Sequence, residues 1–272
     1  NMVASGEASG KLDAVLERLA TLSEHDEVIR MRIKSATRYP LIVVVAMVIG
    51  FIVLTTLVIP RYAKIYAQYT TALPLPTQIL IGINYLITKL WWLMIILGVG
   101  VSYLFKKYIN TPAGGLAWDG LKLKIPVFGG LLLKLSISRF TRITGVLMRS
   151  GIPILKILDI SSGSTGNQVV SKAIINIKNN VAEGKGIAEP MKVSGLFPPI
   201  VTQMVSVGEE TGKLDELLIH VSNYYDEQVD YTISNLTSLI EPLLIFFLGL
   251  GVLFMALGIF LPMWNLMSIF KK

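Results

Sequence analysis

Cysteine is absent from the 272 residues, which excludes disulfide frameworks, thiolate metal sites and cysteine nucleophiles. Charge is scarce. Only 16% of residues are Asp, Glu, Lys or Arg against 53% hydrophobic, and mean hydropathy is +0.62. A water-soluble domain does not have this balance; a membrane protein does. Histidine is confined to His25 and His220. Each is expected on a polar helix face, solvated, and neither a ligand nor a base. No ionisable residue falls in the core of any long apolar run. A proton relay, an ion pathway or an intramembrane aspartyl peptidase needs one. Period-two alternation is missing, so no strand leads into a dinucleotide-binding glycine motif. A Walker A loop is also excluded. Three residues, not four, separate Gly208 from Gly212, and Leu214 follows Lys213 where Ser or Thr is required.

Long apolar runs are present instead. Residues 40–60 hold no charge, nor do 90–105 or 242–270. About 20 apolar residues cross a hydrocarbon core of ~30 Å. The predicted spans are 40–60, 85–105 and 242–262, the second extended through Tyr85 with Lys89 reaching toward the headgroups. Trp91, Trp92 and Tyr103 suit the interfaces. The net charge of +7 reads as an orientation signal rather than a nucleic-acid footprint. Arg30, Arg32, Lys34 and Arg38 precede the first span; Lys106, Lys107, Lys122 and Lys124 follow the second. Residues 1–39 and 106–241 are therefore expected to be cytoplasmic, with 61–84 an external loop and amphipathic segment and 263–272 an external tail. No secretory signal pattern precedes the first apolar run.

The chain repeats itself. Residues 2–62 align with 204–264 at a constant offset of 202. Met2 to Asp13 matches Met204 to Asp215 at eight of twelve positions, and Pro40 and Pro60 align with Pro242 and Pro262. Each copy is a Gly-Glu-x-[Ser/Thr]-Gly-Lys-Leu-Asp turn, a long helix and a span bracketed by prolines. Such duplication predicts two similar cytoplasmic domains, each leading into a membrane helix. Residues 1–39 are expected to be the C-terminal remnant of the first domain, its last turn and last helix, since the chain opens within a helix–turn–helix at Met2 to Asp13.

The second domain, 106–241, reads as a bundle of about six short helices. Gly151-Ile-Pro153, the loop 161–166, Gly184-Lys-Gly186 and Phe197-Pro-Pro199 punctuate it. Leu214, Leu217, Leu218, Val221 and Tyr225 form one helical stripe. The fold class is thus an all-α membrane protein: three transmembrane helices plus a cytoplasmic helical bundle, with the tail of a duplicated first domain. At the repeated turns, Gly6, Gly10, Gly208 and Gly212 permit tight reversals. Glu7, Lys11 and Asp13, with Glu209, Glu210, Lys213 and Asp215, are candidate partner contacts. A carboxylate pair such as Glu209 and Asp215 suits a hard cation, but one turn supplies few ligands, and no metal is expected. Pro40 and Pro242 either start their spans or sit within long helices. Gly249, Gly251, Ala256 and Gly258 allow close packing or receive an apolar partner helix.

The doubled turn, Glu241-Pro242 opening the last span and Pro262 closing it resemble the type II secretion protein F family. So do Ile125-Pro-Val-Phe-Gly129 and Leu147-Met-Arg-Ser-Gly-Ile-Pro153. That family includes the inner-membrane platform proteins of type IV pili. The resemblance implies a non-enzymatic, multi-pass protein of the bacterial inner membrane, without cofactor and homo-oligomeric. Its implied partners are a cytoplasmic hexameric assembly ATPase, pilin or pseudopilin subunits, other inner-membrane assembly proteins and membrane lipids, not nucleic acid. The alternative is a small membrane transporter or permease subunit. It needs a polar site at mid-membrane, where the spans offer only Thr55 and Thr56.

Overall fold

The computed structural model describes residues 12–58, 60–61, 74–126 and 128–269. Ten α-helices are present among them. α1 is Leu12–Val53, continued by a π-helical turn at Leu54–Val58; α2 is Leu75–Lys89 and α3 is Trp91–Ile109. α4 is Pro112–Lys124, α5 Phe128–Met148, α6 Ile154–Ser164, α7 Gln168–Ala182, α8 Ala188–Ser194, α9 Pro199–Thr211 and α10 Leu214–Ile269. The chain divides into two compact units. One comprises residues 1–33 and 108–236, the other 34–107 and 237–272. α1 and α10 each belong partly to both.

In the first unit, short helices pack in sequence, α4 on α5, α5 on α6, α6 on α7, and α8 on both α7 and α9. Their start signals are explicit. Asn167 caps α7, its side chain accepting the Val169 and Val170 N–H groups at 2.9 and 3.3 Å. The Asp119 carboxylate accepts the Gln168 N–H at 2.7 Å and adds an anion to the neutral Asn167 cap at the same positive helix end. Thr111 caps α4 by accepting from Gly114, with Pro112 at the first helical position. The core joins Ile137 and Phe140 of α5, Leu158, Ile174 and Ile177, Met191, Val201 and Val205, and the α10 stripe Leu214, Leu218, Val221 and Tyr225. Phe140 and Phe197 rings meet at 5.7 Å. Each such side chain removed from water stabilises the bundle by about 1.5–3 kcal/mol.

The second unit is differently built. The segments Ser23–Val58, Trp91–Ile109 and Leu214–Leu261 are long and apolar enough to cross a bilayer. Their apolar side chains stay exposed: Leu41, Ile49, Ile96, Leu97, Ile245 and Phe246 are all more than half accessible. A lipid solvent accepts that surface; water does not. α2 lies against the π-turn, where Thr55 is buried. It also meets the last helix, where the Thr77 hydroxyl donates to the Gly258 carbonyl at 3.0 Å and Leu80 is 1% exposed. A Cβ on Gly258 would lie 2.2 Å from Leu80 Cδ1, so any larger residue there has to push the buried Leu80 methyl aside. Gly249 and Gly251 have nothing near them, so of these three span glycines only Gly258 serves packing within the chain.

Two sequence expectations, the second span and Pro262, need amending, and the two readings left open for Pro40 and Pro242 are decided. The run 85–105 predicts one continuous span, but the helix breaks at Leu90, with φ −111° and ψ 12°. The amphipathic α2 buries Thr77 and Leu80, whereas the apolar α3 buries no side chain among the described residues. Pro40 lies inside α1 and Pro242 inside α10, so neither starts its helix. Pro60 follows the π-turn. Pro262 does not end the last helix, which runs on to Ile269; a helix in lipid keeps its remaining backbone bonds across a proline.

Candidate functional site

The Gly208–Asp215 turn reverses the chain between α9 and α10. Gly212 takes φ 69°, a left-handed cap that favours glycine. A Cβ on Gly208 would stand 2.8 Å from Leu214 Cα, so the turn closes only over a hydrogen. Leu214 is buried behind it.

The acidic residues of the turn are not all free for a partner. The Glu209 carboxylate accepts the backbone N–H groups of Ile187 and Ala188, the latter at 3.1 Å. It caps α8 from a distance, where an anion meets the positive helix end. Ser206 donates to Glu210 at 3.3 Å. Asp215 accepts from Arg149 Nε at 3.2 Å, both side chains partly exposed. Lys213 is exposed. The turn borders an open cleft of about 740 Å³ lined by Glu189, Lys192, Phe197, Gln203, Ser206 and Glu209 among others. Glu209 and Asp215 are thus tied to separate partners instead of converging on a cation. Among the described residues no three His, Asp or Glu side chains could hold a metal ion. Asp13 stands in the first turn of α1; Gly6, Glu7, Gly10 and Lys11 lie outside the described residues. Glu241 is a helical residue within α10.

A second cluster has no local sequence signal. Asp226 of α10 sits within reach of three donors: His25 Nε2 at 2.9 Å, the Ser138 hydroxyl and the Arg142 guanidinium. Arg142 also donates to Asn223 at 3.0 Å. Asp226, Arg142 and His25 side chains are 20%, 19% and 25% exposed. Burial pushes the Asp226 carboxyl up. Hydrogen bonds from His25 and Ser138 and the charge of Arg142 outweigh it, and the carboxyl is held below the usual 3.8. His25 therefore does not stand solvated on a polar face, as its neighbours in sequence suggest. Arg139 pairs with Asp26 at 2.9 Å, and Arg32 with Asp230.

The pairings carry a symmetry. His25 and Asp226 are 201 residues apart, Arg32 and Asp230 are 198 apart. Both separations fall close to the repeat offset of 202. Within the first unit, residues 12–33 of α1 and 214–236 of α10 therefore run parallel, in register to within about one turn, with α5 bridging them through Arg139 and Arg142.

A family model described as type II secretion system, protein F matches residues 1–60 and 140–262. The chain belongs to this family. Among relatives of the protein F family, a type IV pilus assembly protein PilC of Myxococcus xanthus is 38% identical over 97% of this chain and 64% of its own length. The PilC of Thermus thermophilus is 38% identical over 98% of this chain and 66% of its own. A type II secretion system protein F of Pseudomonas aeruginosa is 30% identical over 97% of this chain and 65% of its own. The chain thus spans about two thirds of the length of these relatives. Family membership and the three membrane-length helices make it a multi-pass inner-membrane protein with cytoplasmic segments.

Proposed function

We propose that the protein is a non-catalytic inner-membrane platform of a type IV pilus or type II secretion assembly machine. In this role it couples a cytoplasmic hexameric ATPase to the insertion of pilin or pseudopilin subunits into a filament. The observation that carries the reading is the family match over most of the chain, joined to a helical bundle and three lipid-facing helices. The sequence holds no phosphate-binding loop, so energy comes from a partner. A bundle offers surface to that motor, and uncharged spans offer a lipid-like path to a subunit's apolar helix. Residues 106–241 form the cytoplasmic domain in this scheme, and the repeat supports reading 2–62 and 204–264 as two copies of one unit.

The exposed Lys213, with Glu210 beside it, is the part of the Gly208–Asp215 turn available to the motor or to another protomer. Glu209 and Asp215 shape the turn from within. The test is co-purification of the detergent-solubilised chain with the assembly ATPase of its own operon or genome. Retention by the unaltered chain and loss with Lys213→Glu supports the reading. Equal retention by both removes this turn from the interface, and no retention by either removes the motor coupling.

A further inference from the structure

Residues 28–58 carry Arg30, Arg32, Lys34 and Arg38 and not one Asp or Glu. Arg32 is engaged by Asp230. Lys34 and Arg38, one helical turn apart, are exposed, and neither forms an ion pair among the described residues. They stand at the head of a groove of about 530 Å³ whose remaining walls are Thr37, Pro40, Leu41 and Val44. Positions 34, 37, 38, 41 and 44 follow the i, i+3, i+4 rule, so they share one helix face. Along that face the side chains change from cationic to apolar within one turn, since Arg38 and Leu41 differ in height by about 4.5 Å. Leu41 is 64% exposed and Val44 37%.

We propose that this groove binds an anionic phospholipid, with its phosphate on Lys34 and Arg38 and an acyl chain along Leu41 and Val44. The charge is complementary: two cations without an ion-pair partner among the described residues, on a stretch, 28–58, without a carboxylate. The amphiphilicity is complementary too. The apolar half begins where the uncharged run begins, at Pro40, so the cations sit at headgroup level and the apolar wall at acyl level. An acidic peptide satisfies only the first half of the groove. A zwitterionic lipid satisfies the second half but brings its own cation to the first.

The experiment is native mass spectrometry of the full chain in neutral detergent, titrated with phosphatidylglycerol or phosphatidylcholine. Phosphatidylglycerol should bind roughly thirtyfold more tightly. The Lys34→Gln/Arg38→Gln double variant should lose roughly thirtyfold of that affinity, the sum expected from two interfacial cations, and keep its affinity for phosphatidylcholine. Both side chains are exposed, so helix content by circular dichroism should not change. Lys106→Gln/Lys107→Gln removes the same charge from the end of α3 and should leave phosphatidylglycerol bound as before. Equal binding of the two lipids, an unaffected Lys34/Arg38 variant, or an equal loss in the Lys106/Lys107 variant would each overturn the site. Displacement of phosphatidylglycerol by excess inorganic phosphate would show a simple anion site and overturn the lipid assignment.

Discussion

Replacing Asp226 by alanine should be among the most damaging single changes in the helical bundle. The substitution strands Arg142, whose side chain is 19% exposed and whose Nε is already buried without an acceptor. It also removes the acceptor of Ser138, a fully buried residue, and the partner of His25. Breaking one side of a buried charge pair costs about 3–5 kcal/mol. Arg142 keeps its bond to Asn223, and a fifth of its surface still meets water, so the low end, about 3 kcal/mol, applies here. At roughly 2–4 °C per kcal/mol for a chain of this size, the unfolding midpoint in detergent should fall by about 6–12 °C. Asp226→Asn keeps the shape and an acceptor and should lose about half as much. The comparison is Arg32→Gln, which breaks a pair whose side chains are 52% and 42% exposed and should cost less than 1 kcal/mol. A fall no larger for Asp226→Ala than for Arg32→Gln would refute the reasoning, because burial would then have no bearing on the worth of the pair.

The same carboxyl sets a pH dependence. Its folded value lies below 3.8, so the native state binds fewer protons than the unfolded one. Its contribution is full above the ordinary carboxylate range and is lost as pH falls through the depressed value; thermal scans at decreasing pH should show Asp226→Asn losing less than the unaltered chain. Gly208→Ala forces a Cβ against the Leu214 backbone and should destabilise by about 1–3 kcal/mol, read by the same thermal scans. Glu209→Ala uncaps α8 and should cost about 1 kcal/mol, with faster amide exchange at Ile187 and Ala188. Lys213→Glu should leave stability within about 0.5 kcal/mol of the original while weakening motor binding, which separates a contact residue from a structural one. Thr77→Val removes the bond to Gly258 and should cost about 0.5–1.5 kcal/mol, measured as detergent-resistant stability.

Much of the architecture is legible in the sequence because it is written in local patterns. Uncharged runs near membrane length declare lipid-facing helices. Proline and glycine mark the bundle's turns, and the left-handed Gly212 is where the repeat places a reversal. The stripe from Leu214 to Tyr225 is the face that α10 buries. What is illegible is long-range pairing. Nothing near His25 reveals that Asp226 lies beside it, and nothing near Glu209 reveals two backbone N–H groups at the start of α8, 21 and 22 residues earlier. Both were readable only as exposed polar residues on helix faces, and both are engaged. The repeat offset held the missing information for His25. Where α1 and α10 run parallel in the first unit, residue i is paired with residue i + 201 or i + 198, within about one turn of that offset. The break at Leu90 is likewise hidden, because an apolar residue beside Lys89 and Trp91 carries no stop signal.

The platform assignment is tested most directly in the source organism by deleting the gene, restoring it in trans, and scoring surface filaments by microscopy alongside secreted protein in the medium. The account predicts loss of filaments or of secretion, restored by the intact gene. Which of the two is lost tells the pilus branch from the secretion branch. If both persist in a strain with no second protein F family gene, the protein is not an assembly platform, and a membrane transporter becomes the better reading.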